Sequence, residues 1–298
     1  MNSKKYAAID IGSNAIRLLI VNAYDTVEGT YYKKTSLVRV PVRLGQDVFT
    51  TQVISDANKE RLVSTMIAYK HLMFAHGVTE YRACATSAMR DALNNKEILT
   101  AIQNRAELNI EIVTGKQEAE IIYQTHIEKI LDPEQAYLYI DVGGGSTEIT
   151  FFDGTKAIAS KSFNIGTIRL LNGLVDEDKW GEMQHWILQN KLNKEMQAIA
   201  SGGNINRLYK MIQNKNLKPL YFSELFDTKE LIESYDYDDR QVKLNMNSDR
   251  ADVILHALKI YENVFKWTNI ENIYVPKMGL ADGLIRLMHE GQELDTRH

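Results

Sequence analysis

The sequence predicts an α/β protein made of two related domains. Three observations carry this. Short β-rich segments alternate with helical ones along the 298 residues, the pattern of mixed strand and helix layers. The string Ile-Asp-(Ile/Val)-Gly, flanked by apolar strands, occurs at Asp10 and again at Asp141. The two copies stand 131 positions apart, which is a domain length rather than a solenoid period.

Tyr6–Ile9 reads as a buried strand and Ala15–Val21 as a second, with Asp10-Ile-Gly-Ser-Asn14 as the turn between them. Leu37–Val42 is β-rich, and Pro41 favours an edge position. Ser55 reads as an N-cap, Leu62, Met66, Tyr69 and Met73 follow at helical spacing, and Gly77 closes that helix. Arg82–Ala85 is a predicted strand, Lys96–Leu108 a helix, Ile110–Val113 a strand, and Gln117–Ile130 a helix ended by Asp132-Pro133. The opening pattern then returns. Tyr137–Ile140 is a strand, Asp141-Val-Gly-Gly-Gly-Ser146 a turn, Glu148–Phe152 a strand and Lys156–Phe163 a weaker one. Helices are expected over Trp180–Ala200, within Ile205–Gln213, and from a Ser248 N-cap to about Lys266. Ile273–Val275 is a strand and Leu280–His289 a closing helix.

Composition narrows the class. Apolar residues make up 44 % and charged ones 25 %, the balance of a globular chain with a core large enough to need no disulfide. The formal net charge of −4 argues against a general nucleic-acid binder and leaves room for a local cationic pocket. Cys84 is the single cysteine, so a reducing compartment is expected. Asp10 comes too early for a signal h-region, and no apolar run reaches the roughly 18–20 residues of a membrane span. The expected location is the cytoplasm, with no membrane contact.

The sharpest local signal is Asp141-Val-Gly-Gly-Gly-Ser-Thr-Glu148. Three successive glycines imply special backbone angles or a close backbone approach. A tight turn exposing consecutive N–H groups suits phosphate, and an aspartate at the strand end suits a divalent cation. A plain capped hairpin is the competing reading. Asp10-Ile-Gly-Ser-Asn14 is weaker alone and gains from the pairing. Two such turns facing across a cleft would clamp one phosphorylated ligand, with Arg17 either reaching that cleft or covering a strand edge. In Thr114-Gly-Lys-Gln-Glu-Ala-Glu120, Glu118 and Glu120 point in different directions, so at most one serves as a proton acceptor. Both also fit a first helical turn as dipole-favoured acids. Arg90, in Ala85-Thr-Ser-Ala-Met-Arg90, is either a bidentate phosphate ligand or a surface arginine. Ser201-Gly-Gly-Asn204 is either an anion-receiving helix start or a connecting turn. Tyr235-Asp-Tyr-Asp-Asp239 reads as an exposed loop. The histidines show no His-x-x-x-His spacing, and no nucleophile elbow or Walker motif occurs.

Together these segments resemble the exopolyphosphatase / guanosine pentaphosphate phosphatase (Ppx/GppA) family. Ala8-Ile-Asp-Ile-Gly-Ser-Asn14, Ala85–Arg90, Thr114–Ala119, Ile140–Glu148 and Ser201–Gly203 stand in the family's order. The resemblance runs from about Tyr6 to Arg286. It implies two RNase H-like (actin-like ATPase) domains around a central cleft, one spanning 1–122 with the closing helix at about 280–298, the other 123–279. It implies Mg²⁺-dependent removal of terminal phosphate from inorganic polyphosphate, guanosine pentaphosphate or both. Glu118 matches the catalytic carboxylate, standing directly before Ala119 as the family's does. Glu148 matches the acid that helps order water or metal. Asp141 and Asp10 match the metal-linked aspartates. Gly143, Gly144, Gly145 and Ser146 match the second phosphate loop, Ser13 and Asn14 the first, and Arg90 the phosphate-binding arginine.

The chain departs from the family pattern at Gln117, where a second acid is common, and at Ala281, in place of an arginine. It departs again at Asn204, in place of a threonine, and after Asp252, where a Pro-Gly is missing. Longer members carry a further helical region extending a basic channel. Without it, a long polyphosphate is expected either to use a channel made by a homodimer or to be held only by its end. The competing functions are an actin-like small-molecule kinase or ATPase, which needs a nucleoside pocket near Ser201–Gly203, and a non-catalytic alarmone or polyphosphate sensor.

Overall fold

The structure is a computed structural model that describes residues 2–125, 132–212, 219–276 and 278–292. The chain separates into two compact units, Met1–Thr125 with Met278–His298, and His126–Lys277.

In the first unit, β1 (Asn2–Ile11), β2 (Ile16–Thr26) and β3 (Gly29–Val40) form an antiparallel meander. Then come α1 (Leu44–Thr51), α2 (Asp56–Ala75), β4 (Glu80–Ala85), α3 (Ser87–Asp91), α4 (Asn95–Ala106), β5 (Glu111–Ile112) and α5 (Gly115–Tyr123). The sheet order is β3-β2-β1-β4-β5, with β4 parallel to β1 and β5 parallel to β4. Tyr6, Ala7, Ala8, Ile9 and Ile11 are all buried because β1 lies mid-sheet with both faces covered. β3 lies on the edge, as Pro41 just beyond it suggests. It extends well upstream of Leu37 because an edge strand tolerates the polar run Thr30–Ser36. The Ser55 side chain caps α2 by accepting from the Asn58 amide. Tyr69 on that helix donates its hydroxyl to the Ile16 carbonyl at 3.0 Å, fastening helix to sheet.

The second unit repeats the plan. Its elements are β6 (Ala136–Val142), β7 (Thr147–Asp153), β8 (Lys156–Phe163), α6 (Thr167–Leu171), α7 (Glu177–Asn190), β9 (Met196–Ser201) and α8 (Gly203–Ile212). Then follow β10 (Leu220–Tyr221), α9 (Phe222–Glu233), α10 (Tyr237–Val242), α11 (Ser248–Ala251), α12 (Ile254–Thr268) and β11 (Asn272–Tyr274). Read from its β8 edge the order is β8-β7-β6-β9-β11-β10, with β9 parallel to β6 and β11 parallel to β9. That is the first unit's order with one antiparallel strand added, and both are the RNase H-like arrangement of actin-like ATPases. The closing helix α13 (Leu280–Glu290) belongs to the first unit, against β1, β2, β4 and α5. Lys34 pairs with Asp282 at 2.6 Å, and His289 meets Asp25 at 3.0 Å and packs edge-on to Tyr6 and Tyr32.

Several expectations are corrected. The helix predicted over Trp180–Ala200 ends at Asn190, and Met196–Ser201 is a buried strand between β6 and β11. Met, Gln and Ala favour a helix locally, but pairing on both sides in mid-sheet overrides that preference. Ser248 is the first residue of α11 rather than a cap. The chain breaks at Asp252-Val253 before α12, so one expected helix is two. Leu44–Thr51 is a helix the periodicity did not reveal. Tyr237–Asp239 lie in short α10, capped by Asp236, not in a loop. α5 ends at Tyr123, and the tail of the helix predicted to Ile130 lies partly outside the described residues, as does Gln213.

Gly283 tests the α13 docking. A Cβ there would stand 1.9 Å from the Ile121 carbonyl oxygen of α5. Gly283→Ala is expected to lower unfolding free energy by about 2–3 kcal/mol, measured by urea denaturation.

Candidate active site

Both Asp-Gly turns fold the same way. In the first, the Gly12 amide donates to the Ala15 carbonyl at 3.2 Å. In the second, the Gly143 amide donates to Ser146 at 2.9 Å. Each turn is then held by the segment that returns after the third strand. The Arg43 and Gly45 amides donate to the Asn14 and Ser13 carbonyls at 3.0 and 2.8 Å. The Thr167 and Ile168 amides donate to the Gly143 and Gly144 carbonyls at 3.0 and 2.8 Å, and Arg169 Nε reaches the Gly145 carbonyl at 2.8 Å. Thr147 Oγ1 adds a bond to the Ile165 carbonyl at 2.6 Å.

The three carbonyls of the Gly-rich turn are thus committed to α6. The amides of Gly144, Gly145 and Ser146 have no backbone partner among the described residues, the layout of an anion nest. None of the three glycines has positive φ; a Cβ on Gly143 would stand 3.1 Å from the Ser146 carbonyl oxygen. A Cβ on Gly166 would stand 2.4 Å from both the Gly144 oxygen and the Gly145 carbon, so two backbones are in contact there.

The registers set the charges. Asp141 lies opposite Glu148 on β7 and opposite Ser201 on β9. Glu148 is 2 % exposed, and Ser162 Oγ on β8 donates to its Oε1 at 2.8 Å. Two carboxylates directly opposed across strands repel, so this pair is suited to a shared cation. The Tyr139 hydroxyl bonds the Ser201 hydroxyl, and the Tyr261 hydroxyl donates to the Ser201 carbonyl at 3.1 Å. Burial first, and the charge of Asp141 second, push both phenols well above their usual range, so both stay protonated donors.

The first unit differs at the equivalent place. Asp10 is 6 % exposed, and its register partner is Arg17, whose Nη1 meets Asp10 Oδ2 at 2.7 Å. Arg17 thus supplies Asp10 with a counter-charge from the neighbouring strand. On the other side of Asp10 in register stands Cys84, fully buried, its thiol pushed up to about 12 chiefly by desolvation. It is no nucleophile. The Ser13 hydroxyl shares a buried 2.8 Å hydrogen bond with Ser87, and Asn14 is half-buried beside it. Arg90, half-buried on α3, donates from Nη1 to the Val113 carbonyl at 2.8 Å. Its position is therefore fixed by the end of β5.

Glu118 lies in the first turn of α5, where the helix N-terminus favours a carboxylate. Thr114 caps the helix by accepting from the Gln117 amide, while Gln117 Oε1 accepts from the Thr114 amide at 2.9 Å. Gln117, a departure by sequence, is thus the reciprocal half of a capping box. Glu118 Oε2 is shielded from solvent, whereas Glu120 faces out beside Lys116 at 3.8 Å. The two glutamates diverge as their spacing predicts.

Sequence reasoning missed the ion-pair role of Arg17 and the parts played by Ser162, Gly166 and Arg169. Arg17 was findable, because the 131-residue offset that maps Asp10 onto Asp141 maps Arg17 onto Glu148. Among the described residues no group of three or more His, Cys, Asp or Glu is placed to hold a metal. None of their helices is long and apolar enough to cross a membrane.

A family model described as the Ppx/GppA phosphatase family matches residues 33–290, which include Arg90, Glu118 and the 141–148 turn. Exopolyphosphatase 2 of Mycobacterium tuberculosis is 32 % identical over 180 residues, 58 % of this chain and 56 % of that protein. Exopolyphosphatase 1 of the same organism is 24 % identical over 192 residues, 64 % of this chain and 55 % of that protein. The chain thus spans about half the length of these curated relatives. The crystal structure of an exopolyphosphatase from Cytophaga hutchinsonii shares the fold at a TM-score of 0.84 and 22 % identity, covering 98 % of this chain and 99 % of that one.

The Asp10–Arg17 pair can be tested apart from any activity. Arg17→Met strands a buried carboxylate and is expected to cost about 2 kcal/mol of stability. Asp10→Asn on top of it should restore part of that loss. A double-mutant cycle by urea denaturation checks the coupling.

Proposed function

The chain belongs to the Ppx/GppA phosphatase family, and from that footing we propose that it hydrolyses terminal phosphoanhydride bonds, with inorganic polyphosphate as substrate. One observation carries the reading. A turn with its carbonyls committed to α6 and its amides turned elsewhere runs between two opposed carboxylates, Asp141 and Glu148. This is the chemistry of a phosphate ester or anhydride together with a hard cation. The exopolyphosphatase names of the relatives rank polyphosphate ahead of guanosine pentaphosphate.

Mg²⁺ fits Asp141 with Glu148, since that ion commonly takes one or two carboxylates and completes its shell with water and substrate oxygens. Bound there, it would offset charge on the phosphate oxygens. Asp10 suits it less, because a guanidinium already neutralises that carboxylate. In this reading the amides of Gly144, Gly145 and Ser146 hold the terminal phosphoryl group. Glu118 accepts a proton from the attacking water. The water oxygen bonds to the terminal phosphorus, the bridging P–O bond breaks, and its electrons leave on the shortened chain. Such transfer relies mainly on positioning and electrostatics.

Glu118→Gln is expected to cut phosphate release from polyphosphate by about 10²–10⁴-fold, with the denaturation midpoint unchanged. Full turnover in the folded variant would remove Glu118 from the role. Assays on polyphosphate and guanosine pentaphosphate side by side, with and without Mg²⁺, rank the substrates and test the ion.

A further inference from the structure

The second unit carries a cationic pocket that shares no residue with the glycine turn. It has a volume of about 220 Å³ and is lined by Asn206, Arg207 and Lys210 on α8, by Asn245, Met246 and Asn247 on the α10–α11 connection, and by Arg250 on α11. Three cations and three amides line it, and among the described residues no carboxylate does. At roughly 30 Å³ per liquid water it has room for about seven waters, ample for a phosphoryl group and part of its hydration. The net charge of the chain is −4, so an acid-free cluster of three cations is a local departure from the protein's general field.

The pocket is built rather than incidental. Arg207 Nη2 donates to the Leu244 carbonyl, which fixes the guanidinium between the two walls. Its Nε is shielded from solvent and has no partner among the described residues. A buried guanidinium N–H without an acceptor is costly, and a bound anion would satisfy it. Asn206 Nδ2 donates to the Gly202 carbonyl at 2.8 Å, tying the pocket's near edge to the turn beside Ser201. Ser201 in turn is the register partner of Asp141. Along α8, Gly203 to Lys210 spans roughly 10 Å, so the pocket lies along the same helix whose start adjoins Asp141.

We infer that this pocket is a second phosphate-binding site, in which Arg207 and Lys210 take a phosphoryl dianion and the asparagines supply neutral donors. Planar guanidinium and flexible ammonium complement each other for this task, one offering a fork and the other a point charge. The phosphoryl group belongs either to a distal part of a polyphosphate chain or to a separate small phosphorylated molecule.

Calorimetric titration of the whole chain with inorganic pyrophosphate and with long linear polyphosphate separates these sources. Lys210→Glu is the first variant, since that side chain is exposed and its loss spares the core. Arg207→Gln is the second, with denaturation as the check on folding. Loss of one bound pyrophosphate equivalent in Lys210→Glu identifies a free phosphorylated ligand. Unchanged pyrophosphate binding with polyphosphate affinity lowered about tenfold or more identifies distal phosphates of the chain. Unchanged binding of both probes in both folded variants overturns the inference. Binding is read rather than phosphate release, so failure of the hydrolase reading leaves the result interpretable.

Discussion

The candidate site depends on one interaction made twice, the clasp of a helix start onto the carbonyls of an Asp-Gly turn. Amides at Arg43 and Gly45 hold the first turn, and amides at Thr167 and Ile168 hold the second. A hairpin turn with free carbonyls could rotate its peptides. Once those carbonyls are bonded, the N–H groups must point the other way. The clasp therefore converts a flexible glycine run into a fixed set of donors. It also explains the glycine at position 166, which lies on Gly144 and Gly145 with no room for a Cβ. Pre-oriented donors cost no reorganisation when an anion arrives.

From that common frame the two units diverge in charge. Position for position, Arg17 in one stands where Glu148 stands in the other. The first unit neutralises its buried aspartate internally, through a 2.7 Å ion pair. The second sets a carboxylate opposite a carboxylate, an arrangement that a bound cation would favour. The two turns thus share a backbone plan and differ in the charge set against the aspartate. The repeated plan supplies the scaffold, and a single register position sets its charge. The pattern agrees with the family's association with phosphate chemistry without requiring both aspartates to do the same work.

Much of the site was legible because its signals are local. The glycine run, the Asp-Gly repeat, the Ser55 cap and the divergence of Glu118 from Glu120 all follow from short-range geometry. The meaning of Gln117 was not legible, because an amide at that position reads as a lost acid until its bond to the Thr114 amide is seen. The strand Met196–Ser201 was hidden for a related reason. Its residues favour a helix, and only neighbours on both sides make it a strand. The cationic pocket joins residues some forty positions apart, from Asn206 to Arg250. No spacing rule would have grouped them.

The sequence by itself determined the α/β class, the duplication, the two turns and the residue types that suit phosphate and a cation. These rest on contacts between neighbours in the chain, where periodicity and turn chemistry act directly. The tertiary structure alone decided which carboxylate is neutralised, which carbonyls are consumed and where three cations converge. Those outcomes depend on strand register and on segments that return from far along the chain, and a register partner is invisible until the sheet is assembled.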